Sequence, residues 1–139
     1  MNELLGQVFT GLIIDENDTM YLVQKNGVTF HLLKNEAEVH KIGESVEGFG
    51  YVNQKKEAIF TTAIPQVRIG HYAFGEVTDV RRDLGVFVNI GLPDKDMVVS
   101  LDEMPSMKEL WPKKGDRLMI SMRVDEKDRM WGCLLYTSP

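Results

Sequence analysis

The feature that most constrains the fold of this chain is a repeat, because one order of short β-rich segments occurs twice. The matched positions are Gly6 with Gly75, Tyr21 with Phe87, Gly43 with Gly115, and Val52-Asn53 with Val124-Asp125. Two copies of one small unit explain a length of 139 residues better than a single large sandwich does. We therefore predict two domains, at residues 1–65 and 70–135.

Each copy contains five segments rich in β-branched and aromatic residues, separated by turn sequences such as Asn26-Gly27, which are typical of hairpins. We predict strands over residues 7–14, 20–24, 28–33, 45–52, 58–64, 73–80, 86–90, 97–100, 117–124 and 130–134. Short helical turns are expected at 35–40 and 101–110. Five strands with a small helix after the third have the layout of an OB-type barrel. The predicted fold class is all-β, with two tandem five-stranded OB-fold barrels and short helical turns.

The charge of the chain is unevenly distributed. The net charge is −5, which opposes nucleic-acid binding because phosphate contacts supply most non-specific affinity. Residues 70–139 nevertheless hold 10 of the 16 basic side chains. They cluster as Arg81-Arg82, as Lys113-Lys114 with Arg117, and as Arg123, Lys127 and Arg129. A local positive stripe is therefore compatible with the negative total.

The second copy resembles an S1-type RNA-binding domain. Residues 75–80 and 83–90 are similar to its Gly-x-Val opening and its aromatic-Gly-small-Phe-Val strand, and Asp125 with Arg129 matches its closing Asp-x-x-x-Arg pair. The resemblance places Phe87 at an RNA-stacking position. Leu84 and Val99 stand where the family has an aromatic residue and a histidine.

The first copy keeps other parts of the same pattern. It has Tyr21 at the Phe87 position and His31 at the histidine position, with Asn53 and Glu57 in place of the closing pair. Aromatic side chains stack on unpaired bases and basic ones hold phosphates. The candidate RNA-binding residues are Phe87, Arg81, Arg82, Arg123, Lys127, Arg129, Tyr21 and His31.

Structural roles remain open for several of these residues. Alternation puts Phe87 on the strand face opposite Val86 and Val88, with core packing as the alternative to stacking. Arg81 and Arg82 also fit a solvated turn, and Asp125 with Arg129 also fits a pair that holds the last hairpin. His31 also fits a partly buried strand position.

The tandem arrangement and residues 87–105 resemble the conserved virulence factor B (YitL-like) family, over about residues 3–132. The resemblance implies a bacterial cytoplasmic protein with several S1-type domains followed by a winged-helix domain. We therefore expect C-terminal domains beyond this chain. Residues 133–139 resemble a translated sequencing adapter and are a candidate non-native tail.

Neither a catalytic nor a metal or cofactor site is predicted. The three histidines lack metal-ligand spacing, and no glycine-rich phosphate loop or strained nucleophile turn occurs. No apolar run approaches the ~18 residues of a membrane span, and a single cysteine, Cys133, fits a reducing cytoplasm. The predicted function is regulatory or accessory binding of single-stranded RNA. The alternative is a protein-interaction scaffold that positions other nucleic-acid-binding domains.

Overall fold

The computed structural model describes residues 2–135, in which the regular elements are strands and short 3₁₀ turns. These residues divide into two compact units, the first ending at Ile64 and the second beginning at Pro65. Each unit is a closed barrel of five strands. The predicted all-β class of two tandem five-stranded barrels is thereby confirmed.

The first barrel consists of β1 (Val8–Glu16), β2 (Met20–Lys25), β3 (Val28–Leu33), β4 (Ser45–Val52) and β5 (Ala58–Thr61). A 3₁₀ turn at Asn2–Leu4 precedes β1. The order around the barrel is β1-β2-β3-β5-β4, and β4 pairs back with β1. All neighbours are antiparallel except β3 and β5, which meet in parallel at His31 and Ile59. Closure removes the open edges that a five-stranded meander would expose.

The second barrel consists of β6 (Ala73–Arg81), β7 (Gly85–Asn89), β8 (Met97–Ser100), β9 (Arg117–Val124) and β10 (Met130–Leu134). Its order, β6-β7-β8-β10-β9, repeats that of the first barrel, and β8 and β10 are again the parallel pair. Cys133 and Leu134, the first residues of the predicted tail, complete β10 opposite Ser121 and Ile120. Positions 136–139 of that tail lie outside the described residues.

The connection between β8 and β9 contains two 3₁₀ turns, at Leu101–Glu103 and Lys108–Leu110, in the stretch 101–110 predicted to be helical. Pro105 lies between them. Proline lacks a backbone N–H, and the residue before it avoids helical angles. One continuous helix therefore does not form there.

The corresponding connection in the first barrel has no helical turn at residues 35–40. The side-chain oxygen of Asn35 accepts hydrogen bonds from the N–H groups of Ala37 at 2.9 Å and Glu38 at 3.1 Å. Such a turn offers the backbone an alternative to a helix. The predicted helical turn at this place is wrong for that reason.

Matching hydrogen bonds identify equivalent positions in the two barrels. The N–H of Gly43 donates to the carbonyl of Ile13, and the N–H of Gly115 donates to the carbonyl of Val77. The two glycines have φ angles of 93° and 95°, which favour glycine. The predicted match of Gly43 with Gly115 is confirmed, and Ile13 corresponds to Val77.

The glycine that corresponds to Gly75 is Gly11. A Cβ atom on Gly11 would lie 2.3 Å from Cγ1 of Val23, and one on Gly75 would lie 2.4 Å from Cγ1 of Val88. Both glycines allow the first strand of the barrel to cross closely over the second. The predicted match of Gly6 with Gly75 is therefore wrong, because the Gly-x-apolar pattern occurs twice in the first unit.

The residue that corresponds to Phe87 is Leu22. Phe87 pairs with Asp79 just after a bulge in β6, and Leu22 pairs with Asp15 just after the same bulge in β1. The predicted match of Tyr21 with Phe87 is wrong by one residue. In a strand, a shift of one residue reverses the direction of every side chain.

Tyr21 accordingly points into the first barrel and is 4% exposed. Its hydroxyl oxygen accepts a hydrogen bond from the N–H of His40 at 3.0 Å. This bond satisfies a polar atom that burial would otherwise leave without a partner. Tyr21 is a core residue and offers no stacking surface.

Each barrel has a core of inward side chains that alternate along the strands. In the first barrel, Phe9 packs against Phe30 and Phe60, with both pairs of ring centroids 5.2 Å apart. The fully buried side chains of the second barrel include Val77, Val86, Val88, Met97, Val99 and Ile120. Between the buried residues of β7 and β8, Phe87 and Val98 are directed to the outer face.

Candidate nucleic-acid interface

A row of side chains crosses the outer face of the second barrel. Strand pairing joins Phe87 to Val98 and Val98 to Trp131. The row continues to Arg123 beyond Trp131 and to Asp79 beyond Phe87. Directly paired residues present their side chains on one face of the sheet, about 5 Å apart. These five residues are called the outer row.

The neighbours of the outer row along each strand point the other way. Val86, Val88 and Val99 are fully buried, whereas Phe87 and Val98 are partly exposed. Phe87 therefore lies outside the core. The third-strand position predicted at Val99 is wrong by one residue, because Val98 is the residue beside Phe87 on the outer face.

Arginine side chains lie over both aromatic rings of the outer row. The guanidinium carbon of Arg81 is 5.1 Å from the ring centroid of Phe87. Those of Arg123 and Arg129 are 5.6 Å and 5.9 Å from the centroid of Trp131. Cations within about 6 Å of an aromatic face are attracted by its quadrupole. The flat apolar surface of the row is thus bordered by three exposed arginines, Arg81, Arg123 and Arg129.

Asp125 fixes this end of the row. Its carboxylate accepts hydrogen bonds from Arg129 Nε at 2.8 Å and from the Trp131 indole nitrogen at 3.1 Å. Its other oxygen accepts from the backbone N–H groups of Lys127 and Arg129, both at 2.9 Å. Burial alone would raise the pKa of the Asp125 carboxyl, but these hydrogen bonds hold that pKa well below its usual value.

The pair of Asp125 and Arg129 therefore holds the hairpin between β9 and β10, as the structural alternative predicts. The same contacts orient the ring of Trp131 and keep Arg129 beside it. Lys127, also a candidate RNA-binding residue, is exposed in this hairpin. Holding the turn and presenting Arg129 to a ligand are compatible roles.

Arg82 lies apart from the outer row. Its guanidinium donates to the backbone carbonyl of Lys108 at 2.9 Å and stands 5.5 Å from the ring centroid of Trp111. Arg81 and Arg82, adjacent in sequence, thus contact two different aromatic rings. The structure brings Arg81, Phe87, Arg123 and Arg129 together and leaves Arg82 on a separate surface.

The equivalent row of the first barrel has different chemistry. Leu22 pairs with His31, and His31 pairs with Ile59. His31 is partly buried and corresponds to Val98 of the second barrel. It therefore lies at the predicted histidine position. The row has an aliphatic side chain at each position where the second barrel has an aromatic one.

The closing pair also differs between the barrels. Asn53 accepts hydrogen bonds from the N–H groups of Lys55 and Glu57, and its amide donates to the Glu57 carboxylate at 3.1 Å. This arrangement reproduces the turn that Asp125 and Arg129 form. Glu57 places a negative charge where the second barrel has a positive one.

Trp131 is the aromatic residue of the outer row that was not among the predicted site residues. Its position beside Val98 depends on the parallel pairing of β8 with β10, which joins residues distant in sequence. A local signal was nevertheless present, because alternation along a strand places Trp131 on the face opposite to that of Met130 and Gly132. Alternation alone directs Trp131 to the outer face.

Both units match protein-family models. Residues 72–133 match the model described as the CvfB first S1-like domain, and residues 5–63 match the S1 domain model. The chain is similar to the conserved virulence factor B family. Its two OB-type barrels are S1 domains in tandem.

Relatives of this family cover nearly the whole chain. YitL of Bacillus subtilis is 34% identical over 91% of the chain, and conserved virulence factor B of Staphylococcus epidermidis is 30% identical over 95%. The chain spans 42% and 45% of their lengths. A crystal structure from Streptococcus pneumoniae, described as a multidomain protein with nucleic acid binding domains, is 52% identical, with a TM-score of 0.92 over 98% of the chain and 47% of its own.

Two other features are absent from the part of the chain that the structure describes. Within residues 2–135, no helix is long and apolar enough to cross a membrane. The same residues hold no group of three or more histidine, cysteine or carboxylate side chains arranged to bind a metal ion.

Proposed function

We propose that this chain is a regulatory or accessory protein that binds single-stranded RNA in the bacterial cytoplasm without catalysing a reaction. The observation that carries the proposal is the outer row, in which Phe87 and Trp131 flank Val98 on the outer face of one sheet. Exposed aromatic rings stack on unpaired bases, each contributing about 1–3 kcal/mol. Two rings separated by one strand offer stacking positions for successive nucleotides.

The arginines around the two rings supply the complementary charge. Arg81, Arg123 and Arg129 are exposed and surround the two rings. Their guanidinium groups can hold phosphates while bases stack between or on the rings. Similarity to a family built from S1 domains supports nucleic-acid binding, as does the description of the pneumococcal relative.

Single-stranded RNA fits this surface better than a duplex does. Bases in a duplex are stacked on one another, so their faces are closed to protein side chains. Proteins that recognise RNA sequence mostly take unpaired bases and stack them on aromatic or arginine side chains. The outer row presents such side chains on a strand surface and has no helix to insert into a groove.

The proposal is tested by titrating the chain with a single-stranded RNA at two salt concentrations. We expect the Phe87→Ala and Trp131→Ala variants each to lose about tenfold in affinity, in line with ~1–3 kcal/mol per stacked base. The matched control is Leu22→Ala, which truncates the counterpart of Phe87 in the first barrel. Affinity that does not depend on salt, or equal losses in all three variants, would contradict the proposal.

Exposed apolar side chains of the first barrel favour a second function, the positioning of other domains. Leu33, Val39 and Ile42 are 57%, 81% and 57% exposed. The equivalent row of this barrel has Leu22, His31 and Ile59, and it ends at Tyr51, whose side chain is fully buried. If the chain binds no RNA at either salt concentration, the scaffold function becomes the leading proposal.

A further inference from the structure

A groove of about 460 Å³ lies at the end of β6, against the connection between β8 and β9. Four basic side chains line it, from Arg82, Lys108, Lys113 and Lys114. Two acidic side chains, Asp79 and Glu109, also line it. The lining is thus net positive in a chain whose net charge is −5. It is called the basic groove.

The floor and one wall of the basic groove are held by specific contacts. Trp111 is 6% exposed, and its indole nitrogen donates to the carbonyl of Pro105 at 2.7 Å. Arg82 and Lys108 both lie over the Trp111 ring, at 5.5 Å and 5.7 Å from its centroid. The groove is therefore formed before any ligand arrives, which reduces the entropy lost on binding.

Lys113 and Lys114 form the opposite wall and are exposed. Their turn is fixed, because the N–H of Lys113 donates to the Asp116 carboxylate at 2.8 Å and Gly115 donates to β6. Among residues 2–135, no ion pair joins either lysine ammonium to a carboxylate. Both ammonium groups therefore remain available to an anion.

The basic groove borders the outer row at Asp79, which belongs to both. Arg81 lies over the ring of Phe87 on one side of this border, and Arg82 lies over the ring of Trp111 on the other. One extended ligand could therefore run from the stacking rings, past two adjacent arginines, into the groove.

We propose that the basic groove binds the phosphodiester backbone of the same RNA strand whose bases stack on the outer row. The proposal rests on the function proposed above and adds a second subsite to it. The groove suits a backbone and not a base, because its one aromatic ring is buried under two cations. Ammonium and guanidinium groups are donors only, so they match phosphate oxygens.

The test compares short and long oligouridylates of two and twelve nucleotides, bound to the chain over a range of salt concentrations. The variant is Lys113→Gln with Lys114→Gln. The control, Lys41→Gln with Lys55→Gln, removes the same charge from exposed positions of the first barrel, where Lys41 is the counterpart of Lys113. Thermal unfolding checks that both double variants are folded.

We expect the groove variant to weaken binding of the long oligomer several-fold and to leave the short one unchanged. Two lost phosphate contacts on a single strand lower the slope of log K against log salt by about 1.4. The control should change neither oligomer. Long-oligomer affinity that stays at the wild-type level would overturn the groove subsite, as would equal weakening of both oligomers.

The two proposals fail in different ways. If the wild-type chain binds neither oligomer, the proposed function itself is wrong and the groove subsite falls with it. If Phe87→Ala weakens binding but the groove variant does not, the outer row stands and only the groove subsite is removed.

Discussion

The two barrels share one frame but have different outer faces. The strand order, the bulge in the first strand and the left-handed glycine turn are the same in both. On the equivalent rows, however, Leu22 replaces Phe87 and Ile59 replaces Trp131, and in the adjacent hairpin Glu57 replaces Arg129. The positions that define the barrel and those that define its surface chemistry are therefore separate, and each set can change without the other.

The largest expected effect concerns a frame position that the barrels do not share. Gly85 corresponds to Met20 of the first barrel, has a φ of 146°, and a Cβ added to it would lie 2.0 Å from the carbonyl oxygen of Val99. We expect Gly85→Ala to destabilise the second unit by about 3 kcal/mol, because overpacking against backbone and strain add. Both tryptophans lie in this unit, so their fluorescence during urea unfolding measures its stability.

The control for this prediction is Gly91→Ala, at a φ of 96° with open space around the added Cβ. It isolates the cost of the backbone conformation, about 1–2 kcal/mol for an L-residue. Equal losses in the two variants would show that the close approach at Gly85 contributes nothing to stability.

The next prediction concerns variants in which the surface of the first barrel is made more similar to that of the second. In a Phe87→Ala, Trp131→Ala background, we introduce Leu22→Phe and Glu57→Arg into the first barrel. One added stacking ring and one reversed charge should restore about tenfold in RNA affinity, from ~1–3 kcal/mol per stacked base. Fluorescence anisotropy of a labelled RNA measures the gain.

The single change Leu22→Phe in that background serves as the control and should recover less. No recovery in the combined variant would indicate that the frame of the first barrel, and not only its surface, excludes RNA. The segments that connect the strands would then account for part of the difference between the barrels.

The smallest expected effect is a difference between the barrels in how their stability depends on pH. The folded-state pKa of Asp125 is lowered, so its ionised form stabilises the second barrel above the unfolded-state pKa of about 4. That contribution is lost as the pH falls below this value. Its counterpart Asn53 does not ionise, so we expect Asp125→Asn to flatten the acid dependence of the tryptophan-monitored unfolding midpoint. An unchanged dependence would mean that other carboxylates dominate it.

Much of the fold was predictable because β-strand signals in this chain are local. The bounds of β3, β4, β8, β9 and β10 agree with the prediction, as does the turn at Asn53 that mirrors the turn at Asp125. Alternation and turn residues carry these features within a few positions of sequence. The glycine turns at Gly43 and Gly115 were identifiable for the same reason.

The features that were not predicted from the sequence depend on strand register and on pairing between strands that are distant in sequence. The hairpin between β6 and β7 is one residue longer than the hairpin between β1 and β2, so aligning Tyr21 with Phe87 by aromatic type gave the wrong face. Val98 lies between Trp131 and Phe87 on the sheet. No local sequence pattern indicates that β10 pairs with β8. The predicted RNA-binding roles of Phe87 and the arginines remain for the titrations to test.

The parallel pairing of β8 with β10 has a consequence for the order in which the protein becomes competent during synthesis. β10 is the last strand of its unit, so Trp131 is synthesised after every other residue of the outer row. Domains generally fold as units as the chain emerges, N-terminal ones first. The nascent second barrel therefore lacks its complete stacking surface until its final strand has left the ribosome exit tunnel and paired with β8 and β9.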